Sequence, residues 1–166
     1  MKFLFLMSVI TLIAYSPQWV WEDRRNWRLA LRRGMGGGFI YTGIDHFLNG
    51  AERYQPMMPD YLAPYDFHLV EITGGLELMA GIALVLPALV YRRLGLPDLR
   101  PLAGVGLAMM LSVMVIANAH VAETGGAVAG MGGDAAYYAL RPLFQPFIVL
   151  WALVASEAVW PRVRAA

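Results

Sequence analysis

Between Arg100 and Glu123 the chain carries no Asp, Glu, Lys or Arg, and from Leu102 to Val121 it is almost wholly apolar. A stretch of that length matches the ~20 residues that an α-helix needs to cross ~30 Å of hydrocarbon. Runs of this length and composition predict an all-α membrane protein. Composition agrees: 58% of the 166 residues are apolar and 15% charged, against about 25% charged in a soluble domain. The net charge of +1 offers no field for nucleic acid. The absence of cysteine excludes disulfides, thiolate metal sites and thiol chemistry by the chain itself.

Four further apolar segments are expected to be helical spans: about Phe3 to Tyr15, Gly34 to Leu48, Phe67 to Val90 and Tyr137 to Trp160. The first competes with a signal peptide, since Ala14-Tyr-Ser16 resembles a cleavage site. Pro17 would sit directly after that cut, and five arginines follow in residues 22–33. The expectation is therefore an uncleaved anchor over residues 1–21, with Trp19 and Trp21 at the interface, followed by a helical bundle over 22–166. Residues 22–33, 92–100 and 161–166 hold ten of the 13 basic residues, leaving Lys2, Arg53 and Arg141 for the opposite side. The positive-inside bias then gives five spans with the N-terminus outside and the C-terminus inside. The two outer loops are Asn49–Asp66 and the glycine-rich Ala122–Ala136, which lacks a phosphate-binding lysine and reads as flexible.

Ionisable and amide side chains inside spans are costly and merit a role. Counting ~1.5 Å of rise per residue from the outer ends places Asn118 roughly 5 Å, His46 roughly 6 Å, Gln145 roughly 12 Å and Glu77 roughly 15 Å deep. Four helices thus bring a polar group into the outer half of the membrane, which suggests one pocket formed by His46, Glu77, Asn118 and Gln145. Gly74, Glu77 and Gly81 share a helical face, where small residues admit a close neighbour or a ligand. His46 and Glu77 are the candidate proton-transfer residues. The competing reading of Glu77, Asn118 and Gln145 is interhelical hydrogen bonding, and that of His46 is packing. Asp45, Glu71 and His120 lie near enough to the boundary to be hydrated, and Glu157 can reach the inner interface. No same-face histidine spacing suggests a metal site.

Gly43-Ile-Asp-His46-Phe, the outer-loop Met58-Pro59 and Tyr61-Leu-Ala-Pro64, Thr73-Gly-Gly-Leu-Glu77-Leu-Met-Ala-Gly81 and Ala117-Asn118-Ala-His120 together resemble the DoxX family of small membrane proteins. The resemblance covers about residues 28–160. It implies a four-helix transmembrane bundle, here with one added N-terminal helix, in the cytoplasmic membrane of a bacterium or archaeon. His46, Glu77 and Asn118 sit at the family-type polar positions, with Gln145 a looser match. Family members include subunits of quinone-linked oxidation, so the resemblance implies a subunit that binds quinone or lipid and serves electron transfer or oxidative metabolism with a partner. The family is functionally mixed, and two alternatives stay open. One is a non-catalytic assembly or anchoring subunit that contacts a membrane partner or a second copy through its glycine faces. The other is a small proton-coupled transporter.

Overall fold

The computed structural model of the chain describes residues 2–18, 26–125 and 135–160. Every regular element among them is helical. We number the α-helices α1 (Lys2–Tyr15), α2 (Trp27–Asn49), α3 (Asp66–Val85), α4 (Ala88–Arg93), α5 (Arg100–Thr124) and α6 (Ala135–Ala155). Between α2 and α3 the chain makes a π-helical turn, Gly50–Tyr54, and two 3₁₀ turns, Gln55–Met57 and Asp60–Tyr65. Trp19, Trp21, the 21/22 boundary, Arg24, Arg25, most of the glycine-rich loop, Arg162 and Arg164 lie outside the described residues.

Among the described residues, three helical stretches are long and apolar enough to cross a membrane: Asp60–Val85, Arg100–Thr124 and Ala136–Ala155. Helix α1 is apolar but short. Helix α2 has 23 residues, about 34 Å of rise, but bears Arg28, Arg32 and Arg33 near one end and Asp45 and His46 near the other. Away from their ends the outward side chains of the long helices are mostly apolar, among them Ile72, Met79, Leu102, Met109, Val113, Leu143 and Phe147. That exterior suits contact with a lipid bilayer and identifies a membrane protein.

The element ends follow local chemistry. Asn26 caps α2, its side chain accepting from Leu29 N–H at 3.1 Å. Gln18, 1% exposed, donates to Ala14 O at 3.2 Å and accepts from Asn26 N–H at 2.7 Å, so it ties the end of α1 to the start of α2. Pro87 forces Leu86 into an extended conformation and stops α3 at Val85, short of the expected Val90, after which α4 starts afresh. Pro101 opens α5, and Gly125 closes it with a left-handed φ of 60°. Helix α6 stops at Ala155 rather than Trp160, because the backbone turns through positive φ at Glu157 and Trp160. Arg28 donates to Trp160 O at 2.6 Å, and Trp151 to Leu31 O at 3.0 Å, which fixes that end of α6 to α2.

Helices α2, α3, α5 and α6 pack in a ring, and α1 lies outside it on α2. Glycines set the spacing. A Cβ on Gly36 or Gly81 would come within 2.8 Å of the other helix's backbone, and one on Gly43 within 2.7 Å of Leu78 N. Gly36 thus faces Gly81, and Gly43 faces Gly74, two glycine pairs seven residues apart along antiparallel helices. Gly34 and Gly38 receive Thr11 and Met7 of α1 on the other side of α2. Met7, Met35, Phe39, Leu84, Leu107, Leu111, Ile148 and Ala152 form the core beneath the cavity described next.

Candidate functional site

A cavity of about 620 Å³ opens among α1, α2, α5, α6 and the turn after α2, with Glu77 of α3 in its wall. Its lining is partly apolar, with Phe3, Val9, Phe39, Leu111, Phe144 and Ile148, and partly polar, with all four residues expected from the sequence: His46, Glu77, Asn118 and Gln145. Each is less than a tenth exposed.

The α5–α6 pair is a completed chain of hydrogen bonds. Leu111 O can only accept, so the Gln145 atom 2.8 Å from it is the amide nitrogen, which donates. Gln145 Oε1 then accepts from Asn118 Nδ2 at 3.0 Å. Gln145 is therefore committed to joining the helices and orienting Asn118. The same chain leaves Asn118 Oδ1 buried with no protein partner.

The α2–α3 pair is open. His46 Nδ1 lies 2.9 Å from Val70 O, and a carbonyl accepts, so Nδ1 carries the proton of that bond. His46 Nε2 thus faces Glu77 Oε2 across 3.8 Å, too far for a direct hydrogen bond. Both atoms are buried and have no partner. When both side chains are neutral, or both charged, the two hold one mobile proton between them. Gly74 makes this approach possible, since a Cβ there would lie 2.5 Å from His46 Cβ. Counting residues from the outer ends separates His46 and Glu77 by roughly 9 Å in depth, yet their side chains meet. The register of Gly36 against Gly81 and Gly43 against Gly74 keeps that backbone offset, and the side chains close it because each leans towards its own helix's N-terminus, hence towards the other.

Asp45 corrects the expectation of a hydrated boundary carboxylate. It is 7% exposed and accepts from Asn49 Nδ2 at 2.6 Å, from Tyr54 Oη at 2.8 Å and from Arg53. These bonds pin the π-helical turn over the site. Tyr54 consequently lies on His46, with ring centroids 3.7 Å apart. Arg53, Tyr54 and Arg141 also line the cavity and were not singled out from the sequence. Asp45, Asn49 and Arg53 recur every fourth residue, a helical-face signal that the glycine at position 50 obscured. Glu71 is exposed, as expected, while His120 is half-buried. Among the described residues no three His, Asp or Glu side chains group to hold a metal ion.

The chain belongs to the family described as a domain of unknown function, DUF8561, which matches residues 35–156. The matched segment contains α3, α5, α6 and every polar cavity residue named above, while α1 lies before it. No curated protein and no solved structure matches the chain.

Proposed function

We propose that this DUF8561 member is a DoxX-like membrane subunit that binds a quinone or a lipid-like amphiphile in the cavity, polar head towards His46, Glu77 and Asn118. The observation that carries this reading is the set of three buried, unpartnered polar atoms on residues that line a partly apolar cavity. An unpartnered buried polar atom costs about 1–3 kcal/mol, and a ligand that pairs with it recovers that cost. Pockets for small amphiphiles combine an apolar lining with a few convergent polar groups in this way. The His46–Glu77 pair is placed to exchange one proton with a bound head group. Where the ligand is a quinol, its electrons would need an acceptor on a partner protein.

The assembly reading drew on glycine-lined faces. In this fold Gly34, Gly36, Gly38, Gly43, Gly74, Gly81 and Gly104 all meet neighbouring elements of the same chain, leaving Gly75 and Gly106 facing open space. That favours the cavity reading. In our reading the chain crosses the cytoplasmic membrane of a bacterium or archaeon five times, N-terminus out and C-terminus in, with the cavity near the outer face. Because the chain has no cysteine, single cysteines placed at Glu52 and Leu96 test the orientation by impermeant labelling. Labelling from outside at position 52 alone is expected, and labelling at 96 alone contradicts it.

Binding is tested with a decyl-substituted benzoquinone, in both redox states, on purified wild type and Glu77→Gln. Wild type is expected to bind and the variant to bind about tenfold more weakly, the loss of one hydrogen bond to a charged or proton-sharing group. Equal binding by both, or binding by neither, sinks the assigned site.

A further inference from the structure

The hydrogen-bond inventory of the cavity is lopsided. Asn118 Oδ1 can only accept. His46 Nε2, with the Nδ1 proton committed to Val70 O, accepts whenever the imidazole is neutral. Glu77 Oε2 accepts when ionised and donates only while it holds the proton shared with His46. Three buried acceptor positions are thus served by one mobile proton. Most donors that line the cavity are engaged already: Thr42 Oγ1 donates to Gly38 O and Tyr137 has interactions with its neighbours, while Tyr41 is exposed. Tyr54 Oη–H and Arg53 donate to Asp45, Gln145 donates to Leu111 O, and Arg141 has interactions with its neighbours.

From this imbalance we infer that the cavity selects an amphiphile whose head group carries hydroxyl donors, and discriminates against a head group of the same shape that offers carbonyl oxygens alone. The inference rests on the proposed cavity function and narrows it. A hydroxyl oxygen about 2.8 Å from both His46 Nε2 and Glu77 Oε2 closes the gap between them, donating to one and accepting the shared proton from the other. A second hydroxyl donates to Asn118 Oδ1. A carbonyl can take the one shared proton but leaves Asn118 Oδ1 facing another acceptor, an arrangement that a site with fixed buried groups rejects strongly. Hydroxyl donors of this kind occur in a hydroquinone and in a glycerol-headed lipid.

The test is equilibrium binding to wild-type protein in lipid nanodiscs under anaerobic conditions. The probes are a decyl-substituted hydroquinone, its quinone and monodecanoylglycerol. At least one hydroxyl probe is expected to bind tenfold or more tightly than the quinone. Tighter hydroquinone binding identifies the ligand as a quinol, and tighter monodecanoylglycerol binding identifies a glycerolipid. In Glu77→Met the preference over quinone is expected to fall below threefold, with thermal unfolding recorded to show that the variant is folded. His46→Leu supplies the same comparison if Glu77→Met does not fold. Quinone binding as tight as the tighter of the two hydroxyl probes overturns the inference while leaving the cavity reading intact. A preference that survives in the folded variants overturns the assignment of the atoms. Binding of no probe overturns both readings and leaves the gap to buried water.

Discussion

Two polar pairs face the same cavity, and they are built differently. Asn118 and Gln145 lie on α5 and α6 and meet at 3.0 Å, with Leu111 O closing the chain. His46 and Glu77 lie on α2 and α3 and stop at 3.8 Å with their facing atoms unpartnered. The helices beneath the open pair are the more tightly packed, since Gly36, Gly43, Gly74 and Gly81 bring backbone against backbone. Looseness of packing therefore does not explain the gap. Polar groups serving only as glue close on each other, whereas groups held apart on a rigid support are available to something else.

The largest expected effect comes from attacking that support. Gly81→Leu drives a side chain into Gly36 O and Ile40 N, which are backbone atoms and cannot yield. A loss of about 3 kcal/mol or more, or failure to accumulate, is expected. Gly75→Leu, on the same helix with nothing within 4 Å, is the control and should leave thermal stability nearly unchanged.

Removing one member from each polar pair sharpens the contrast. Gln145→Leu strips partners from both Leu111 O and Asn118 Nδ2 and should cost about 1–3 kcal/mol in detergent unfolding. Glu77→Met removes the unpartnered Oε2 together with the carboxylate's bond to Thr42, so it should cost clearly less than Gln145→Leu. Equal losses in the two variants would erase the distinction between glue and site.

Asp45→Ala frees Arg53 and Tyr54 and should loosen residues 50–57 while the helices stay intact. Amide exchange of that turn is expected to accelerate by about tenfold, the loss of one to two kcal/mol of local stability. The smallest effect lies away from the cavity. Arg100 bonds the Asp98 carboxylate and holds it below the usual carboxylate range. This contribution is present above the ordinary Asp value near 4 and fades as pH falls through the lowered one. For so exposed a pair it should amount to about 0–1 kcal/mol between pH 5 and pH 2, read as the difference between wild type and Asp98→Asn.

Charge-free runs and the cost of burying polarity made the helices and all four inner polar residues visible in the sequence. The glycine spacing was visible as well, since Gly34 with Gly38, and Gly74 with Gly81, proved to lie at close approaches. Partnership was not visible. Gln145 and Glu77 look alike as polar residues in apolar runs, and only the fold shows one committed to Leu111 O and the other with its Oε2 unpartnered. Depth counting gave the offset between the His46 and Glu77 backbones but not the meeting of their side chains, which depends on the register of Gly43 against Gly74. Asp45 looked like a surface carboxylate because Gly50 reads as a helix end. The chain instead continues as a π-helical turn and delivers Arg53 and Tyr54 to it.

The central claim is that the gap between His46 and Glu77 is held open for a ligand's hydroxyl. The most direct measurement is the thermal unfolding shift produced by the decyl hydroquinone on wild type and on Glu77→Met, under identical detergent and ligand concentration. At ten times the dissociation constant the account predicts stabilisation of wild type by about 1.4 kcal/mol and a shift in the variant less than half as large. The same shift in both proteins would contradict it.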